Sequence, residues 1–173
     1  MGNLTSIVLT VLAPDRPGLV ERISAVIVRH GGNWLQSHLS RMAGYFGGLI
    51  HVTVPGQNAD ALVRALEGLG DQGVVAVVRK ASGPVESEEA RDVGLSLMGN
   101  DRPGIVNRIT EAIARKGVNV VSLETEYGSA PMAGNEMFSV RARLRMPPAV
   151  SLADLKRDLE MIAGDLMVDV SLE

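Results

Sequence analysis

The chain has 173 residues, 46% hydrophobic and 21% charged, with a formal net charge of −3. That composition is globular and excludes a disordered chain, and a mildly acidic protein has no bulk attraction for nucleic acid or anionic lipid. Cysteine is absent, which removes disulfides, thiolate metal sites and cysteine nucleophiles together and fits a reducing, cytoplasmic location. No apolar run approaches the roughly 18 residues that a membrane-spanning helix needs. Met1–Leu9 lacks the basic region and cleavage site of a signal peptide.

In chain order, Ile7–Leu12 is the first predicted strand, rich in β-branched residues and closed by Pro14. A helix is expected to open at Pro17, to carry Leu19, Ile23, Val26 and Ile27 as one apolar stripe, and to end near Gly31. Trp34–Met42 and Phe46–Val54 read as the second and third strands. Ala59–Leu69 reads as a second helix burying Leu62, Leu66 and Leu69, and Val74–Val78 as a fourth strand. Residues 81–92 are polar and acidic and include Gly83-Pro84, the composition of a linker. The same series then restarts. Strands are predicted over Val93–Met98, Val120–Tyr127, Met137–Met146 and Leu166–Leu172, with helices from Pro103 and over Leu152–Ile162.

The restart is visible residue by residue. Asp15-Arg16-Pro17-Gly18-Leu19-Val20-Glu21-Arg22-Ile23 returns 86 positions later as Asp101-Arg102-Pro103-Gly104-Ile105-Val106-Asn107-Arg108-Ile109, with seven of nine residues identical. Gly31 and Asn33 return at the same offset as Gly117 and Asn119, whereas Phe46 and Pro55 return as Phe138 and Pro147 at an offset of 92. Six extra residues therefore fall within Gly128–Asn135. Two copies are too few for a solenoid, so the chain reads as a duplicated domain: residues 1–80, a linker over 81–92, and residues 93–173. Each half has the order βαββαβ, an α+β, ferredoxin-like plan with an antiparallel sheet and both helices on one face. This pattern leaves the strand order open. The three segments carry +2, −3 and −2, so neither half is a basic arm.

The repeated Asp-Arg-Pro-Gly motif is the candidate for chemistry. A helix leaves its first amides without intrahelical partners, and its dipole favours an anion there. The amides of Gly18, Leu19 and Val20, and of Gly104, Ile105 and Val106, face the loop between strand and helix. Asp15 or Asp101 either caps its helix or holds an ammonium group, and amides beside a carboxylate suit a zwitterionic amino acid. Other signals are weaker. Arg141, Arg143 and Arg145 share a strand face, but Glu124 and Glu126 alternate on the neighbouring strand and offset them without nucleic acid. His38 and His51 lack a third ligand, so no metal and no cofactor are implied. There is no GxGxxG, GxSxG, Walker A or HExxH pattern.

Asp-Arg-Pro-Gly-(Leu/Ile)-Val after a strand, with Gly-x-Asn following the helix, resembles the ACT domain, the amino-acid-sensing module of metabolic regulation. The resemblance covers both repeats. The tandem pair is similar to glycine cleavage system transcriptional repressors, which hold two ACT domains and no catalytic domain. In the serine-sensing ACT domains of phosphoglycerate dehydrogenases, effector contacts come from the loop before Pro-Gly and from the Asn after the helix. Asp15 with Asn33, and Asp101 with Asn119, match those positions. Those domains carry Asn where this chain has Asp15 and Asp101, and His where it has Ala13 and Gly99. The resemblance implies a non-enzymatic, cytoplasmic homo-oligomer that binds a small amino acid, glycine or serine-like, where ACT domains meet. It further implies a protein partner, a transcriptional activator or metabolic enzyme, with no direct nucleic-acid or membrane contact. A detached regulatory subunit of an amino-acid or folate-pathway enzyme and a structural oligomerisation module are the alternatives.

Overall fold

A computed structural model describes residues 3–81, 90–129 and 136–173. The chain divides into two compact units, Met1–Pro84 and Val85–Glu173. The first unit consists of β1 (Leu4–Pro14), α1 (Leu19–Arg29), β2 (Asn33–Met42), β3 (Tyr45–Pro55), α2 (Ala59–Glu67) and β4 (Val75–Lys80). The second repeats this order as β5 (Arg91–Asn100), α3 (Ile105–Arg115), β6 (Asn119–Ser129), β7 (Glu136–Met146), α4 (Leu152–Leu166) and β8 (Val168–Leu172). The expected βαββαβ plan is present twice. Long-range pairing supplies the order that the pattern left open: β2-β3-β1-β4 in one sheet and β6-β7-β5-β8 in the other, with antiparallel neighbours throughout. Among the described residues no helix is long and apolar enough to cross a membrane.

Period-two alternation builds each core. Ile7, Leu9, Val11 and Ala13 of β1 are buried with Ile23 and Ile27 of α1 and Leu62 and Leu66 of α2. In the second unit Val93, Leu95 and Leu97 of β5 join Ile109 and Ile113 of α3 and Leu155 and Leu159 of α4. Among the described residues no polar or charged side chain is buried.

Helix boundaries differ from the sequence reading in all four helices; α2, for one, ends at Glu67, short of Leu69. The first helix of each unit starts at Leu19 or Ile105, two residues after the proline. Pro17-Gly18 and Pro103-Gly104 form a turn instead, with Gly18 at φ 88°, ψ 2° and Gly104 at φ 92°, ψ 0°. Those angles are the third position of a type II turn, which wants Pro before it and Gly on it. At the other end α4 runs on past Ile162, because Ala163 and Leu166 continue its buried face and Met167, at φ 55°, ends it. Residues 130–135, within the six-residue excess, lie outside the described residues.

Lys116, just beyond α3, reaches Asp158 of α4 at 2.8 Å. The hydrogen bond from Lys116 holds the Asp158 carboxyl below its ordinary range, as Arg145 does for Asp92 and Lys80 for Asp60. A depressed folded pKa means the unfolded chain binds protons first, so this stabilisation is complete above about pH 4 and vanishes as acid titrates the folded carboxyls. The urea midpoint should therefore fall on acidification below about pH 4. Asp158→Asn should lower the midpoint at pH 6 and show a smaller gap from the parent at pH 3; an equal gap at both pH values would refute the pairing.

Candidate functional site

The two Asp-Arg-Pro-Gly loops take the same form. Arg22 N donates to Gly18 O at 3.0 Å and Arg108 N donates to Gly104 O at 3.0 Å, which closes the first helical turn in each unit. No side chain caps either helix. Among the described residues no oxygen accepts from the amides of Gly18, Leu19 and Val20, or from those of Gly104, Ile105 and Val106. Of the two roles open to the aspartates, helix capping is absent. Asp15 instead forms an ion pair with Arg41 of β2, Oδ2 to Nε at 2.9 Å, and its own amide donates to Gly44 O at 2.9 Å. Asp101 is exposed, with no hydrogen bond or ion pair to any described residue.

An open hollow lies beside each loop. That of the first unit has a volume of about 260 Å³ and is lined by Asp15, Gly18, Leu19 and Phe46 among others. That of the second has about 620 Å³ and is lined by Asp101, Gly104, Ile105, Thr110 and Phe138. Phe46 and Phe138 are equivalents in the repeat, so the same wall is built twice. The larger hollow is within the usual size range of small-molecule sites and the smaller falls just below it.

Asn33 and Asn119 stand elsewhere. Asn33 pairs with Thr53, which pairs with Ser6, nine residues before Asp15 along the same strand direction. Asn119 pairs with Arg145 and Arg145 with Asp92, nine residues before Asp101. At about 3.3 Å per residue each Asn lies roughly 30 Å from the Asp of its own domain. A bulge follows each Asn directly, between Trp34 and Gln36 and between Val120 and Ser122. A residue added to one strand of a ladder re-aims the side chains beside it. Nothing in the local sequence announced these bulges, and the Arg41–Asp15 pair was equally hidden.

Gly99, where serine-sensing domains have His, has no room for a side chain. A Cβ there would meet Val168 Cγ1 at 2.5 Å and Val168 Cα at 2.9 Å, because β8 runs against it. The arginine row of β7 is offset by acids, though not by the two glutamates alone. Arg141 reaches Glu126 at 3.1 Å and Glu124 at 3.9 Å, while Arg143 and Arg145 turn to Asp92 of β5 at 3.9 and 3.0 Å. His51 Nε2 shares a 2.6 Å hydrogen bond with Ser6 Oγ, and His38 lies in a different row, opposite Leu49.

Two family models, both for the ACT domain, match residues 5–79 and 87–167. The crystal structure of an unknown protein from Galdieria sulphuraria superposes with a TM-score of 0.87 at 29% identity, covering 99% of this chain and 98% of that one. A candidate glycine cleavage system transcriptional repressor superposes with a TM-score of 0.68 at 20% identity over 98% and 96% of the two chains, which shows a shared fold. Formyltetrahydrofolate deformylases of Mycobacterium tuberculosis and Mycobacterium bovis are 36% identical over 76 residues, 43% of this chain and 24% of theirs. The match thus spans about a quarter of the length of these curated relatives.

Proposed function

We propose that this chain, which belongs to the ACT-domain family and carries two copies of the domain in tandem, is an amino-acid-responsive regulator without catalysis of its own. One observation carries the reading: in both units no described residue accepts from the helix amides after Pro-Gly, and these amides open onto a hollow. A free amino acid offers these amides a carboxylate, where the helix dipole favours negative charge. Its ammonium group falls to the adjacent aspartate. Asp15 already holds Arg41 while Asp101 holds no described residue, so the second hollow is the stronger receptor. Glycine or a serine-like effector suits a shallow hollow walled by Phe46 or Phe138.

Asn33 and Asn119 join such a site only from another domain, either the sister domain or one of a second chain. An antiparallel meeting of two β2 or two β6 edges would set the first residue of one strand level with the last of its neighbour, which is the level of Asp15 or Asp101. A homo-oligomer assembled by these edges would bind effector where its domains meet. Effector then changes the affinity for a protein partner by as much as the partner changes the affinity for effector. Glycine cleavage control through a transcriptional activator fits this scheme, with the genome reached only through the partner.

Calorimetry against glycine and serine tests the reading, with thermal shift across the twenty amino acids. Binding should be detected, and Asp101→Asn should weaken it roughly fivefold while Asp15→Asn changes it little. Gly104→Val should abolish it, because a β-branched residue does not adopt φ 92°. Silence from every amino acid would reject the sensor. The 36% identity to formyltetrahydrofolate deformylases favours a second reading, a regulatory unit for a folate-pathway enzyme, which co-purification with such an enzyme would reveal.

A further inference from the structure

The outer faces of the two sheets differ sharply, although the domains share one plan. In β1 the residues alternating with the buried set, Thr10 and Leu12, point away from the helices. Thr10 lies between Leu49 and Val77, and Leu12 lies beside Val75. Leu12, Leu49, Val75 and Val77 are each about half exposed or more, and Met42 and Tyr45, paired at the end of the β2–β3 ladder, extend the patch. The same register positions in the second unit place Ser96 between Arg141 and Ser171, and Met98 beside Asp169. Leu49 thus corresponds to Arg141, Val77 to Ser171 and Val75 to Asp169. Both sheets bury equally apolar residues on their helix side, so this fold does not require apolar residues on the outer side.

We propose that the outer sheet face of the first domain is the surface through which two copies of the chain associate, face to face. Four strands at about 4.8 Å spacing and roughly 24 Å of length give about 450 Å² of flat area per copy, and side-chain relief raises the total above the ~1,000 Å² that a specific interface needs. The face has the anatomy of a protein contact, an apolar patch around the uncharged Thr10 with its chargeable groups at the border. Its residues able to carry charge, His38, His51 and Arg79, border the patch, and no carboxylate lies among the rows that flank it. A matching face buries no unpaired acid, and packed sheets accept such contacts at about 10 Å separation. This association is separate from effector binding and occurs without amino acid.

Sedimentation of the full chain in amino-acid-free buffer tests it. The parent should be dimeric at about 10 µM, and Leu49→Arg with Val75→Asp should raise the dissociation constant at least tenfold with an unchanged circular dichroism spectrum. Those replacements are the residues that the sister domain already carries at the same positions. The absence of cysteine gives a second readout that is independent of stability. A Thr10→Cys chain should be trapped as a dimer by a flexible bis-maleimide, and a Ser96→Cys chain should not. A monomeric parent, an equally tight double variant, or equal trapping of the two cysteine chains would each overturn the proposal.

Discussion

Leu159→Ala should destabilise the second domain by about 3 kcal/mol, lowering its urea midpoint by about 2 M. Leu159 is 0% exposed, and with Leu155 it forms the face of α4 that closes over β5 and β7. Truncation removes the transfer free energy of three carbons and leaves a void that a closely packed interior fills only in part. A domain of roughly 80 residues has about a third to a half of its stability at risk from such a change, because small cores start with little margin. Met161 sits two residues along the same helix and is 65% exposed, so Met161→Ala should cost under about 0.5 kcal/mol. Hydrogen exchange of the β5 and β7 amides reads both variants directly. Similar shifts for the two would mean that α4 packs by another face.

The strands and the helix stripes were legible because alternation and three-to-four spacing are consequences of local geometry, and burial selects for them directly. The duplication was legible for a simpler reason, since an identical motif at a fixed offset needs no physics to detect. What stayed hidden depends on contacts remote along the chain. The order β2-β3-β1-β4 rests on β1 pairing with β3 and β4 at once, which no local pattern encodes. The Pro-Gly pair was ambiguous because proline suits both the first helical position and the second position of a type II turn; Gly18 and Gly104 settle it by adopting positive φ.

The candidate site divides along the same line. Amides without helical partners at the helix entrance follow from a strand, a turn and a helix in sequence, so the place of Gly18, Leu19, Gly104 and Ile105 at that entrance could be read from the residues alone. Asn33 and Asn119 share a fixed offset of eighteen positions from Asp15 and Asp101, but the stretch between includes a whole helix. That helix carries the chain back to the far end of the sheet, so the spacing measures a distance along the chain and not through space. The Asp15–Arg41 ion pair shows the reverse case, two residues far apart in sequence and 2.9 Å apart in the fold. It makes the two copies chemically unequal although their motifs read alike.

Gly48→Ala should destabilise the first domain by roughly 3 kcal/mol, enough to leave much of it unfolded at modest urea. Gly48 has φ 146°, and a Cβ added there would lie 1.9 Å from His38 O and 2.9 Å from its carbonyl carbon. The obstacle is backbone of the paired strand, so no side-chain rotation relieves it and β2 must separate from β3. The equivalent position in the second domain is Val140, which is buried in its core. One site therefore requires a side chain in one copy and forbids it in the other, which marks how far the β2–β3 ladder has diverged from β6–β7. Trp34, the single tryptophan, packs against the first core and reports its unfolding by fluorescence. Gly68→Ala is the matched control: Gly68 has φ −66° and a Cβ added there would meet nothing within 4 Å, so alanine should be neutral or stabilising by about 0.5 kcal/mol. Coincident tryptophan transitions for the two variants would show that the β2–β3 contact yields where the geometry says it cannot.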